Sequence, residues 1–174
     1  EYLQVGYEIF ERAAPHEADA EVFALISSVL RGLPVRAATG DIGILMAAVD
    51  GLNTTERRKA ALRRHIWRPR RFRALMERFS GRADVPASRV ALLAAEDAFA
   101  EAGPAIGLRS RREVEARIAA LREDEAAGPL SEGDVALMEA ILAVQETLPN
   151  AVEQLSDIAV DMPAIAAAVE GLAK

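Results

Sequence analysis

Apolar residues recur along this chain at intervals of three and four, the spacing that places them on one face of an α-helix. In residues 132–147 two such stripes run side by side, one starting at Val135 and Met138, the other at Leu137 and Ile141. Residues 148–169 continue with a single stripe. A helix that is apolar around so much of its circumference belongs at the centre of a bundle. We therefore predict that residues 132–147 are central and that the C-terminal stripe closes the bundle, with a homodimer seam as the alternative.

Capping residues, glycines and prolines divide the chain into segments of about one helix length. Three possible starts combine a polar cap with a glutamate three residues later, as in a capping box: Asn53 with Glu56, Ser110 with Glu113, and Asn150 with Glu153. Five glycines stand where a left-handed residue would end a helix: Gly32, Gly51, Gly81, Gly103 and Gly128. The predicted helices span residues 2–13, 17–31, 41–50, 54–67, 70–80, 87–102, 111–127, 132–147, 150–160 and 162–172.

The fold class follows from these segments and from the composition. Alanine supplies 36 residues and leucine 18, whereas aromatic residues make up 5% of the chain, a balance that favours helix over sheet. Residues 42–49 are the best strand candidate, but Met46, Ala47 and Ala48 suit a buried helix better. We predict a single all-α domain over residues 1–174, a bundle or orthogonal array of about nine helices without a sheet.

The sequence lacks the residues and motifs of several chemistries. It has no cysteine and two histidines, which excludes a disulfide framework, a cysteine nucleophile and a Cys-ligated metal site. The phosphate-binding loop, the dinucleotide fingerprint, the Gly-x-Ser-x-Gly elbow and the His-Glu-x-x-His motif are also missing. The glutamates at 132, 139 and 146 lie about 10 Å apart along a helix, too far for one ion. We therefore predict no catalytic residue, metal ligand or cofactor, and no membrane span.

Charge is the most informative feature of the sequence. Residues 51–82 carry eleven basic residues against Glu56 and Glu77, a balance of +9 in a chain whose net charge is −6. Residues 121–174 carry eleven acidic residues against two basic ones, a balance of −9. The chain thus has a basic helical segment, residues 54–82, and an acidic C-terminal helical region, residues 121–174.

The basic segment supplies the candidate binding residues. Ten of its eleven cations are arginine, whose planar guanidinium makes bidentate contacts with carboxylates and phosphates. The single tryptophan of the chain lies among them, as an interface anchor would. Pro69 should bend the chain between two basic helices. The predicted partner- or anion-binding residues are Arg57, Arg58, Arg64, Trp67, Arg68, Arg70, Arg71 and Arg73.

The favoured function is a non-enzymatic interaction or assembly module whose arginine-rich surface binds an acidic protein surface, including that of a second copy. The alternative is a nucleic-acid-binding regulator using the same segment, because residues 47–54 resemble the turn of a helix-turn-helix. That resemblance is incomplete, since Asp50 stands where an apolar residue is usual. A helical enzyme or small-anion-binding protein is the third class. If the basic segment has no binding function, its arginines form a solvated helix face and pair with acidic residues of the same chain. The sequence leaves the cellular compartment open.

Overall fold

The computed structural model describes residues 3–100, 102–104 and 106–173. Over this part the chain is 63% helical and contains nine α-helices and no strand, so the predicted all-α fold class is confirmed. Residues 2, 101 and 174, which fall within predicted segments, lie outside the described residues. Among the helices described, none combines the length and the apolar character that crossing a bilayer requires.

The helices are numbered in chain order. They are α1 (Pro15–Val29), α2 (Ile42–Gly51), α3 (Glu56–His65), α4 (Pro69–Phe79), α5 (Ala87–Ala94), α6 (Arg111–Ala126), α7 (Glu132–Ala143), α8 (Leu148–Asp161) and α9 (Ala166–Leu172), with a 3₁₀ turn at Pro163–Ile165 between α8 and α9.

The chain forms two compact units, Glu1–Gly40 and Asp41–Lys174. The first contains α1, which has no buried residue. The second contains all the other helices and the hydrophobic core, to which α2, α3, α4, α7, α8 and α9 contribute. Residues that are completely or almost completely buried include Val49, Leu62, Phe72, Met138 and Ile165. The candidate binding residues all belong to this second unit.

The predicted central position of residues 132–147 agrees with the packing. Val135, Met138 and Ile141 of α7 are buried in the core, and Leu137 and Leu142 pack against it. The C-terminal stripe also reaches this core through Leu155, Met162 and Val169. Burial of these side chains on the second unit's own core is the bundle closure that the spacing predicts.

One of the three predicted capping boxes forms. The Ser110 hydroxyl accepts from the Glu113 backbone N–H, and the Glu113 carboxylate accepts from the Ser110 N–H at 2.7 Å. The backbone and hydroxyl bonds from Ser110 hold the pKa of Glu113 below its ordinary value. The other two predicted starts are wrong by two or three residues, because Thr55 and Thr147 occupy the N-cap positions of α3 and α8.

Three predicted helices need correction. The helix predicted over residues 132–147 ends at Ala143, because Val144 takes an extended conformation. Residues 3–11 are not helical, and all of them except the half-buried Ile9 are exposed. A short segment with so little burial lacks the packing that supplies most helical stability in proteins. The helix predicted over residues 87–102 ends at Ala94, since Ala95 takes an extended conformation. A local turn follows, in which Asp97 accepts from the Phe99 N–H at 2.8 Å.

The glycine predictions are partly confirmed. Gly81 and Gly128 have φ values of +76° and +71°, the left-handed conformation expected just after α4 and α6. Gly51 instead is the last residue of α2, and no left-handed residue ends that helix. A methyl group at Gly51 would lie 2.6 Å from the Ala164 Cβ, so the residue is small because the 3₁₀ turn packs there.

Candidate functional site

The basic segment forms α3, α4 and the connection between them, and each helix buries one face. Helix α4 buries Phe72, Met76 and Phe79, which are spaced by four and three and therefore lie on one side. Helix α3 buries Arg58 and Leu62. Pro69 starts α4, where its missing N–H leaves no bond unmade, so the chain is broken there into two helices as predicted.

The sides of α3 and α4 that face away from the core carry most of the predicted binding residues. All of them except Arg58 are exposed, and Trp67 in the connection is 74% exposed. We call this set the arginine surface; it consists of Arg57, Arg64, Trp67, Arg68, Arg70, Arg71 and Arg73. Within the part of the chain that the structure describes, no carboxylate lies at ion-pair distance from any of these six arginines.

The helical positions show which of these arginines can act together. Arg57 and Arg64 are seven residues apart on the exposed side of α3, about two turns or 10 Å along the axis. Arg70 and Arg73 are three residues apart on the exposed side of α4, where side chains are neighbours. Each pair could therefore meet a carboxylate-bearing partner from one direction.

Other cations of the basic segment are neutralised within the chain. Arg63 pairs with Asp50, Lys59 lies 3.4 Å from Glu56, and Arg82 binds Glu139 at 2.5 Å. The carboxylate side chains of these pairs are largely exposed, and an exposed ion pair contributes about 0–1 kcal/mol to stability. Solvated intramolecular pairing thus explains part of the segment but leaves the arginine surface without acidic partners.

Arg58 was predicted to face a partner, and this expectation has to be revised. Its side chain is buried, and its Nε donates to Asp124 Oδ1 at 2.7 Å. Its two Nη atoms donate to the backbone carbonyls of Asp124 and Gly128, at 2.5 and 2.6 Å. The Asp124 carbonyl lies in the last turn of α6, where carbonyls have no helical N–H partner and attract a cation, and the Gly128 carbonyl lies two residues beyond the helix.

A sequence signal for the burial of Arg58 exists. Arg58 precedes the buried residues Leu62 and Ile66 by four and eight positions, which is the spacing of one helix face. The partner Asp124 has no comparable signal, because it lies 66 residues away on an otherwise charged stretch of α6. The spacing of Arg58, Leu62 and Ile66 thus indicates a buried Arg58 but does not identify its partner.

The remaining titratable groups do not assemble into a metal site in the described residues. No group of three or more His, Asp or Glu side chains there could hold an ion. His65 is half-buried, with its Nδ1 atom buried and lacking a hydrogen-bond partner among the described residues. Of the glutamates spaced by seven, Glu139 binds Arg82.

No protein-family model matches this chain, and searches of the curated proteins and of the solved structures found no match.

Proposed function

We propose that this protein is a non-enzymatic interaction module that binds an acidic protein surface through the arginine surface on α3 and α4. The observation that carries the proposal is the exposure of six arginines without an acidic partner in the described chain, around an exposed tryptophan. An acidic partner would supply the carboxylates that the chain itself does not bring to this surface.

The physical chemistry of the side chains supports a protein partner. Arginine and tryptophan are the residues most enriched among those that dominate binding energy at protein interfaces. Guanidinium groups bind carboxylates through two parallel hydrogen bonds, which add direction to the charge attraction. Like charges at neighbouring helix positions also repel one another, so an acidic partner relieves repulsion that the free protein retains.

A nucleic acid is the alternative partner for the same surface. Phosphates attract arginine, and an exposed tryptophan can stack on unpaired bases. The whole chain, however, carries a net charge of −6, and its last 54 residues carry −9. That charge repels a polyanion from most directions of approach, whereas a local acidic patch on a protein can avoid it. We therefore favour the protein partner and treat nucleic acid as an outcome of the test.

The test measures binding of a fluorescently labelled glutamate-rich peptide by anisotropy. The variant Arg64→Gln/Arg70→Gln/Arg73→Gln removes three charges from the arginine surface. The variant Arg109→Gln/Arg112→Gln/Arg117→Gln is the matched control, since these arginines are also exposed but lie at the start of α6 and along it. Both variants change the net charge by the same amount.

We expect the first variant to bind the peptide about tenfold more weakly or worse, and the control to bind within about twofold of the unmodified protein. Equal weakening in both variants would show a nonspecific charge effect and would contradict the proposal. A labelled DNA duplex is titrated in parallel. Tighter binding of the duplex, with a steep decrease as salt rises, would replace the protein partner by nucleic acid.

A further inference from the structure

A second cluster of arginines, made of residues outside the arginine surface, lies around the buried carboxylate of Asp124. Arg58 and Arg89 approach its two oxygens from different elements, with Arg58 Nε 2.7 Å from Oδ1 and Arg89 Nη2 3.7 Å from Oδ2. A third arginine, Arg78, contacts the same Phe79 ring as Arg58. The Cζ atoms of Arg58 and Arg78 lie 5.3 and 4.9 Å from the ring centroid.

The three arginines differ in how completely they are bonded. All three nitrogens of the Arg58 guanidinium donate hydrogen bonds, so the buried Arg58 has no donor nitrogen left for a further ligand. Arg78 and Arg89 make no hydrogen bond through their guanidinium groups within the described residues, and Arg89 is half-buried. Arg89 thus lies beside a carboxylate that Arg58 already binds, and the guanidinium of the exposed Arg78 has no hydrogen-bond acceptor among the described residues.

The charges around this cluster do not balance. The three guanidinium groups and the one carboxylate of this cluster sum to +2, and Arg57 also acts on Arg78 as a positive charge. Burial lowers the pKa of Arg78, and the neighbouring guanidinium of Arg89 lowers it further, while Asp124 acts in the opposite direction. An oxyanion held between Arg78 and Arg89 would restore hydrogen bonds to both groups and relieve their repulsion.

We propose that Arg78 and Arg89 form a binding site for a phosphate-type dianion, with Arg58 and Asp124 holding the site in place. A dianion matches the local charge of +2, whereas a single carboxylate would neutralise half of it. Arginine suits this role because its donors fit the oxygens of phosphate in pairs. The bound group is either free phosphate or a phosphomonoester. The site uses no residue of the arginine surface, so this proposal and the proposed function stand or fall separately.

The test is calorimetric titration with inorganic phosphate at constant ionic strength and about pH 8, where phosphate is mainly dianionic. Acetate is titrated as the monoanion control, and N-acetyl phosphoserine N-methylamide, which has no free carboxylate, as the esterified form. The variants are Arg78→Gln and Arg89→Gln, and the matched control is Arg112→Gln, an exposed arginine on α6. Circular dichroism checks that each variant is folded.

We expect saturable binding of phosphate that weakens about tenfold or more in Arg78→Gln and Arg89→Gln and stays unchanged in Arg112→Gln. Acetate should bind at least about tenfold more weakly than phosphate. Tighter binding of phosphoserine assigns the site to a phosphomonoester, and weaker binding assigns it to free phosphate. Absence of saturable binding, equal affinity in all variants, or equal affinity for acetate would overturn the proposal. If Arg89→Gln fails to fold, the phosphate affinity of Arg78→Gln, which changes an exposed residue, decides between these outcomes.

Discussion

The pairing of Arg58 with Asp124 is the residue-scale feature that most affects stability. Both residues are buried, with 6% exposure each, and they are the buried charged residues of the described chain. Removing charges from water is costly, and their attraction repays that cost only when the remaining donors and acceptors are bonded. Here the guanidinium donates to the Asp124 carboxylate and to the backbone carbonyls of Asp124 and Gly128. The pair therefore joins α3 to α6.

We expect Arg58→Met to lower the free energy of unfolding by about 3–5 kcal/mol, because it leaves the Asp124 carboxylate buried without its main partner. The double variant Arg58→Met/Asp124→Leu should recover part of this loss, since neither charge then remains buried. Urea unfolding followed by circular dichroism measures both values.

Arg111→Gln is the matched control for this prediction. Arg111 pairs with Glu115 at 2.9 Å, but this pair spans one turn of α6 and is exposed on both sides. Loss of this pair and of the Arg111 contact with the Phe99 ring, whose centroid lies 4.4 Å from the guanidinium Cζ, should change the free energy of unfolding by less than about 1 kcal/mol. A loss of similar size in Arg58→Met would show that the buried pair contributes no more than a surface pair.

At the scale of elements, the close contact between α2 and the 3₁₀ turn tests how the core is assembled. Alanine is normally favoured over glycine within a helix, by about 1 kcal/mol. At Gly51 the added methyl group would lie 2.6 Å from the Ala164 Cβ, which is fixed to its own backbone. One of the two elements would have to move away from the other.

We therefore expect Gly51→Ala to destabilise the protein by about 1 kcal/mol, since this contact is exposed and is relieved more easily than one inside the core. The control is Gly133→Ala in α7, where the nearest atom to an added methyl group is Ser131 Oγ at 3.8 Å. That variant should be neutral or slightly stabilising. Thermal unfolding compares the two, and a Gly51→Ala variant as stable as Gly133→Ala would show that α2 and the turn do not pack as described.

The elements also show which parts of the fold the sequence could predict. Helices α6 and α7 begin within one residue of the predicted starts, because a serine cap precedes each helix and supplies a local signal. The helix predicted over residues 2–13 has no such cap, and the described part of it lacks a core to pack on. The apolar residues of this segment do not suffice to predict a helix, since helix formation in short segments depends on tertiary burial.

At the scale of the whole molecule, the packing of the core determines which residues of the candidate site are exposed. The positions of Phe72, Met76 and Phe79 determine which side of α4 is buried, and Arg70 and Arg73 are exposed as a result. That much follows from the apolar spacing. The placement of Arg58, Arg78 and Arg89 around Asp124 does not, because it depends on how α3, α4, α5 and α6 meet.

The charge asymmetry of the chain also acts at this scale. Exposed acids of the C-terminal region, such as Glu153, Asp157 and Asp161 on α8, have no ion-pair partner among the described residues. These carboxylates form an acidic surface, so the arginine surface could also bind a second copy of the chain. Such charge-driven contacts weaken as salt rises, because the screening length falls to about 10 Å at 0.1 M.

The most direct test of the arginine surface uses its own tryptophan, which is the only one in the chain and is 74% exposed. Its fluorescence emission is recorded while the glutamate-rich peptide is added at low salt. We predict a saturable shift to shorter wavelength as the peptide covers Trp67, absent from Arg64→Gln/Arg70→Gln/Arg73→Gln and reversed by added salt. Emission that stays constant while anisotropy shows the peptide bound would place binding elsewhere and contradict the account.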